Sequence, residues 1–159
     1  MVVVTGDLWA GPANAWRVVP TNRMTRRDGS AVMGAGIALQ AAKRFPGLPR
    51  AYGVALRGGC MGLWAYAPGH VLRLPTKHDW RDNADIGLVA RGLCALRYFA
   101  KAHPDAAIRL PMIGAGLGRL PGADVRSLID RTMGDLPSVT LVLPRTHAAE
   151  ARGVPEVAR

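Results

Sequence analysis

Cysteine is scarce in this chain. Cys60 and Cys94 are the only two in 159 residues. They form no CxxC pair and no metal-ligand spacing, which excludes a zinc module and a disulfide scaffold and leaves two free thiols. His70, His103 and His147 show no ligand spacing either, so neither a metal site nor a cofactor is expected. No apolar run approaches the roughly 20 residues of a membrane span. The opening Met1-Val-Val-Val-Thr-Gly6 is apolar but too short for a signal peptide and carries no basic start. Internal repeats, linkers and low-complexity segments are missing. The expectation is a soluble, cytoplasmic monomer with no membrane partner.

Lysine is nearly absent too: Lys43, Lys77 and Lys101 stand beside a large excess of arginine, and the net charge is +10. Such a charge fits a polyanionic partner such as nucleic acid. It also fits a GC-rich coding bias towards Arg and Ala, and the scatter of the arginines, with only Arg26-Arg27 adjacent, favours that second reading. Either way a basic surface attracts phosphorylated ligands. The length suits one domain with one substantial core.

Glycine is plentiful where it matters. The stretch Asp28-Gly-Ser-Ala-Val-Met-Gly-Ala-Gly-Ile-Ala-Leu-Gln40 places small residues immediately before an amphipathic helical pattern. A small-residue loop opening a helix brings backbone N–H groups close to a ligand, and the positive end of the helix favours an anion. Gly114-Ala-Gly-Leu-Gly-Arg119 is a second such loop. Together they suggest a pyrophosphate held from two sides.

Around these loops the pattern alternates strands and helices. Val2–Thr5 reads as a buried strand and Trp16–Thr21 as a second. A helix is expected from Met33 to Phe45, stopped by Pro46-Gly47, and a short one within Leu48–Gly59. Leu63–Tyr66 and His70–Leu74 read as a hairpin about Pro68-Gly69, with Pro75–Trp80 as a loop beyond it. Asp82-Asn83 is expected to cap a helix over 84–103 that buries Ile86, Val89, Leu93, Leu96 and Ala100 and turns Arg91 and Lys101 to solvent. Strand Ala107–Pro111, helix Gly122–Met133 and buried strand Val139–Leu143 close the order, with residues 144–159 as a tail. The expected fold is an α/β three-layer domain over residues 1–143. Both glycine loops follow a strand and precede a helix, where open α/β sheets bind ligands.

The ordered series Gly6-Asp-Leu8, Pro20-Thr-Asn22, Val32-Met-Gly-Ala-Gly-Ile-Ala-Leu-Gln40, Phe45-Pro46, Pro75-Thr-Lys-His-Asp-Trp80 and Gly114-Ala-Gly-Leu-Gly-Arg-Leu120 resembles the macrodomain family. It is most similar to the branch holding DNA ADP-ribosyl glycohydrolase antitoxins and the terminal ADP-ribose protein glycohydrolase, and to small bacterial and phage macrodomain-like proteins. The resemblance implies a central mixed, mostly parallel sheet of about six strands between two helical layers, and ADP-ribose as ligand or product. It implies that Asp7, beside Leu8, accepts from the adenine amino group and that Asn22 sits near the distal ribose as a catalytic residue alongside Lys77. Met33, Gly34, Ala35, Gly36 and Ile37, with Ile113, Gly114, Ala115, Gly116, Leu117, Gly118 and Arg119, would wrap the pyrophosphate and distal ribose, and Thr76 would join them.

Read alone, Lys77 is an exposed lysine after a strand. The resemblance implies instead a Lys acting on the anomeric carbon, either by attack once it has lost its proton or by stabilising the leaving group. One departure is chemical. Where the protein-directed glycohydrolase carries a catalytic Asp, this chain has Gly118, as the DNA-directed branch also lacks that Asp. Asp79, Asp82 and His78 are then the nearest candidates for proton transfer. The other departure is the longer 23–29 segment, which can move Asn22 from its implied role. Arg119 reads as a phosphate partner or a surface residue, and Trp80 as a cover for a ribose or base. Four functions follow as expectations: removal of ADP-ribose from a macromolecule, nucleic acid before protein glutamate; a non-catalytic ADP-ribose-binding module; an ADP-ribose 1″-phosphate phosphatase; and a nucleic-acid-binding protein whose motif is incidental.

Overall fold

The computed structural model describes residues 1–145; the expected tail therefore lies, from residue 146 on, outside the described residues. Six strands form one sheet: β1 (Val2–Thr5), β2 (Trp16–Thr21), β3 (Trp64–Tyr66), β4 (Val71–Pro75), β5 (Ile108–Pro111) and β6 (Val139–Leu143), in the order β1-β6-β5-β2-β4-β3. Every pairing is parallel except β3 with β4, whose hairpin turns through a 3-10 turn at Ala67–Gly69. Four helices pack on the sheet: α1 (Gly36–Arg44), α2 (Leu48–Arg57), α3 (Ile86–Ala102) and α4 (Gly122–Met133). No helix among the described residues is long and apolar enough to cross a membrane.

Strand alternation sorts the side chains into two cores. Val18, Leu72 and Leu74 face α3 and α4, meeting Val89, Leu93, Leu96, Val125 and Ile129. Val19 and Val71 face α1 and α2, meeting Ala41, Leu48, Tyr52 and Leu56. This period-two division makes the sheet the middle of three layers.

Four local expectations differ from the structure. β1 lies at the sheet edge with β6 as its one partner strand, so Val2 and Val3 are 54% and 40% exposed rather than buried. α1 begins at Gly36, because Ala35 before it is extended, with φ −151° and ψ 160°, and residues 33–35 are not helical. Asp85, not Asp82 or Asn83, caps α3; its Oδ1 accepts from the N–H groups of Gly87 and Leu88 at 2.8 and 3.3 Å. That shift leaves Ile86 in the first turn, 44% exposed, while Val89, Leu93, Leu96 and Ala100 are buried as expected.

One buried charge sits beneath the site. Arg73 lies on β4 between Leu72 and Leu74 and is 1% exposed. Its Nη2 donates to the carbonyls of Cys60 and Gly62, and its guanidinium carbon lies 4.0 Å from the Tyr52 ring centre and 5.7 Å from that of Trp64. Among the described residues it forms no ion pair, and burial lowers its pKa. Two π faces and two carbonyls replace the missing carboxylate. Tyr52 in turn donates its hydroxyl to the carbonyl of Asn22, at the end of β2.

Two substitutions test this framework. Arg73→Ala removes donors and packing together and should cost about 2–5 kcal/mol in urea denaturation, whereas Arg73→Met, close in volume, should cost less. Gly53 on α2 faces the loop after β2, where a Cβ would fall 1.9 Å from the Gly29 carbonyl oxygen. Gly53→Ala should therefore destabilise by about 1–3 kcal/mol and displace that loop.

Candidate functional site

The site forms where three neighbouring strands end. β2 lies between β4 and β5, and the chain leaves β2 towards the α1–α2 layer but leaves β4 and β5 towards the α3–α4 layer. Connections that part to opposite faces open a crevice at the carboxyl ends of the strands. Backbone hydrogen bonds stitch its loops together. Thr76 N–H donates to Thr21 O at 2.9 Å, Asp85 N–H to Thr76 O at 2.8 Å, and Ala84 N–H to Gly118 O at 2.8 Å.

The crevice is a cavity of about 840 Å³. Of the residues singled out in the sequence, Asn22, Gly34, Ala35, Gly36, Ile37, Thr76, Lys77, Gly114, Gly116, Leu117, Gly118 and Arg119 line it. Met33 and Ile113 do not; they are 4% and 0% exposed and anchor their loops in opposite cores. Ala115 packs beside Ile113's core. Asp7 and Leu8 also lie outside the lining. Asp7 is exposed after β1, its Oδ1 accepting from Trp9 N–H at 3.0 Å, and Leu8 is buried.

Both glycine loops present unengaged amides. Among the described residues, the N–H groups of Gly34, Ala35, Gly36, Gly116, Leu117 and Gly118 have no backbone carbonyl partner. α1 has no side-chain cap and no acidic residue in its first turn, so its positive end is open to an anion. The loops also meet each other: Gly36 has φ +55°, and a Cβ there would lie 3.1 Å from Leu117 Cδ1. Gly118 is the tightest position, where a Cβ would meet Gly114 O at 2.6 Å and Ala84 Cβ at 2.7 Å.

Asn22 is 9% exposed and already employed. Its Nδ2 donates to Val32 O and its Oδ1 accepts from Met24 N–H, both at 2.9 Å. It closes the long 23–31 excursion and so aims the first glycine loop. Lys77 is half-buried, and its Nζ donates to Asp82 O at 3.0 Å and Trp80 O at 3.4 Å. Both partners are neutral carbonyls, so among the described residues its positive charge meets no carboxylate.

The three proton-transfer candidates separate. Asp79 is gripped by Arg81, with contacts of 2.9 and 2.6 Å, and those hydrogen bonds hold its carboxyl at a pKa of about 2. It stays ionised, and occupied, at any pH above that value. His78 is exposed and outside the lining, whereas Asp82 lines the cavity. Among the described residues no group of three or more His, Cys, Asp or Glu is placed to hold a metal.

Sequence reasoning passed over the arginines that hold the frame. Arg17 on β2 donates to the carbonyls of Trp9, Ala10, Pro12 and Ala15, and its cross-strand partner Arg109 on β5 donates to those of Asp7 and Leu8. Between them they fix the loop that carries Asp7. Both sit mid-strand among apolar residues, and that placement was the available signal.

No family model matches the chain. A curated DNA ADP-ribosyl glycohydrolase of Mycobacterium tuberculosis is 30% identical over 121 residues, 70% of this chain and 34% of the relative. The chain thus spans about a third of the length of the curated relatives it matches. The macrodomain of Thermus aquaticus DarG superposes with a TM-score of 0.76 at 30% identity, over 90% of this chain and 96% of that one. Thermosipho africanus DarTG, solved in complex with ADP-ribose, shares the fold at a TM-score of 0.75 and 22% identity, over 90% of this chain and 42% of that one. With this fold, this order of motifs and a relative matched along nearly its whole length, the chain belongs to the macrodomains of the DarG type.

Proposed function

We propose that this chain binds ADP-ribose and removes it from a modified macromolecule, nucleic acid in preference to protein glutamate. The observation that carries this reading is the make-up of one cavity: two loops with unengaged amides, meeting at Gly36 and Leu117, and a Lys77 that among the described residues has no carboxylate partner. Its volume lies within the range of small-ligand sites, roughly 300–1,000 Å³. The amides of residues 34–36 and 116–118 grip the pyrophosphate, and the exposed Asp7, outside the cavity lining, accepts from the adenine amino group where the adenosine end extends beyond the cavity. Asn22 acts here by aiming the first glycine loop at the distal ribose, since its amide is committed to Val32 and Met24. The names of the curated relatives support the same chemistry.

Gly118 favours nucleic acid as the substrate. A side chain at that position collides with Gly114 and Ala84, so this loop has no room for the Asp of the protein-directed relatives. Chemistry falls to Lys77. Having lost a proton, its nitrogen attacks the anomeric carbon as the glycosidic bond breaks. The bonding electrons leave with the nucleic-acid group, and in this reading the carboxylate of Asp82, which lines the same cavity, takes the proton from the Lys77 ammonium and hands it to that group. The sugar ring opens to a Schiff base, and water returns Lys77 and free ADP-ribose.

Incubation with ADP-ribosylated single-stranded DNA and with an ADP-ribosylated protein tests the reading. The DNA should lose its label faster, and Lys77→Ala should lower that rate by at least about 100-fold, the scale of a lost nucleophile or acid–base group. Binding of ADP-ribose without turnover would make the chain a non-catalytic module, and release of phosphate from ADP-ribose 1″-phosphate would make it a phosphatase. Borohydride should trap the Schiff base as a covalent adduct on Lys77, seen by mass spectrometry. Loss of activity in Lys77→Ala without any trapped adduct would instead assign Lys77 to the leaving group.

Gly118→Ala should weaken ADP-ribose binding in calorimetry by about tenfold or more and lower the midpoint of urea unfolding, since the new carbon must push Gly114 and Ala84 apart. Unchanged affinity in this variant would show that the loop is not part of the grip.

A further inference from the structure

A second cavity, of about 360 Å³, lies at the other end of the sheet. The main cavity opens where β2 and β4 end. This one opens where they begin, around Arg17 and His70, whose backbones are joined by a 2.9 Å bond from Arg17 N–H to His70 O. α1 runs between the two: its first turn lines one, Arg44 and Phe45 at its far end line the other, and no residue lines both. The basic side chains at the second cavity are Arg17, Arg44 and His70, and no Asp or Glu lines it. Arg17 is 6% exposed, and its Nε is buried without an acceptor among the described residues. Burial and then the charges of Arg109 and Arg44 lower its pKa, with the Asp7 carboxylate as the opposing charge. Arg44 is exposed, its guanidinium carbon 4.7 Å from the Trp9 ring centre. His70 holds φ 50° and ψ 49°, a left-handed conformation uncommon for a residue with a side chain, and its ring lies 4.9 Å from that of Trp16. Trp9 and Phe45 supply an apolar wall, their ring centres 6.2 Å apart and tilted by 55°. The carbonyl end of α1 opposes an anion here, and Lys43 and Arg44 in its last turn offset that effect.

We propose that this second cavity binds a small phosphomonoester carried on an aromatic body. The phosphate lies against Arg44 and His70, over the buried charge of Arg17, and the ring lies against Trp9 and Phe45. Two guanidinium groups and an imidazole with no carboxylate in the lining leave positive charge uncompensated, and a dianion neutralises more of it than a carboxylate does. The Arg17 Nη atoms bond only to neutral carbonyls, which fix the group without cancelling its charge. That charge is also the least screened by salt, because Arg17 is shielded from water. The volume stands at the small end of ligand sites, roughly 300–1,000 Å³, and suits one ring with one phosphate. Because the two cavities share no lining residue, this site does not depend on the reading of the main one.

Phenyl phosphate titrated into the full chain, followed by calorimetry and by the tryptophan indole N–H signals in NMR, decides the matter. Trp9 Nε1–H, which donates to Gln40 Oε1 at 2.8 Å, reports on this cavity, and Trp80 reports on the main one. The Trp9 signal should shift with added probe and the Trp80 signal should stay. Arg44→Gln should weaken binding about tenfold, the scale of one lost charge-assisted hydrogen bond. His70→Asn, which tolerates the left-handed backbone, should weaken it by a similar factor. Gly118→Ala, which disturbs the main cavity, should bind the probe as wild type does. A shift at Trp80 with loss of binding in Gly118→Ala would put the probe in the main cavity and overturn the proposal. So would equal binding by wild type, Arg44→Gln and His70→Asn, or no binding at millimolar probe. Benzoate bound as tightly as phenyl phosphate would overturn the choice of a phosphate, and inorganic phosphate bound as tightly would overturn the role of the ring. Should wild type bind phenyl phosphate in this way but no ADP-ribose, the second site stands and the reading of the main cavity fails.

Discussion

The loop after β5 comes so close to the start of α3 that Gly118 has no space for a β-carbon. Ala84 N–H reaches Gly118 O there, and Leu120 N–H folds back to Gly114 O. Those two bonds fix the loop while the amides of residues 116–118 keep no backbone acceptor among the described residues. The same contact fixes the loop after β4, since Ala84 adjoins Asp85, which bonds to Thr76, which bonds to Thr21 at the end of β2. Three loops from three strands are thereby held in one arrangement by main-chain atoms. A side chain at position 118 would separate them, so the cavity depends on an absent atom as much as on any residue that lines it.

A small part of the positive charge of this chain works within the fold. Arg17, Arg73 and Arg109 sit mid-strand and give their N–H groups to loop carbonyls that no secondary structure satisfies. A guanidinium suits that task because its five donors fan out in a plane and can serve several carbonyls at once. Arg17 alone serves four. Burial and the nearby charges of Arg109 and Arg44 lower its pKa, which is the cost of using a cation as a frame. The net charge of +10 is thus partly scaffold. Of the cations, Lys77 and Arg119 line the cavity without a carboxylate partner among the described residues, and the proposed phosphorylated ligand would meet them first.

The sheet and the two glycine loops were legible because their signals are local. A β-branched run, a proline stop or a small-residue loop before a helical period each depends on a few adjacent residues. What depends on distant partners was not. Val2-Val-Val reads as buried, yet burial depends on β1's place at the sheet edge, which no window of sequence contains. Asp82 and Asp85 are equally good caps on paper; the bond from Asp85 N–H to Thr76 O selects the second. Asn22 shows the same limit within the site. Its amide type suggested a ribose contact, but the longer segment after it needs closing, and the amide performs that closure. Asp79 was a plausible proton carrier until Arg81, two residues on, was seen to occupy it.

Lys77 shows how holding and reacting are divided. Its ammonium spans two carbonyls of the same turn, at Trp80 and Asp82, so the proposed nucleophile and proton carrier ride on one short piece of chain. The glycine loops lie on other strands and can grip a pyrophosphate without disturbing that turn. Of the two bonds that hold Lys77 to this turn, the one to Trp80 is the longer and weaker, 3.4 Å against 3.0 Å. Once Lys77 has lost a proton, the lone pair on its nitrogen, not a remaining hydrogen, is what meets the anomeric carbon in the proposed reaction. In the proposed reaction, free ADP-ribose satisfies the grip and leaves Lys77 bound to its turn. A modified strand engages both halves, so binding energy from the part that departs is used to orient the group that expels it.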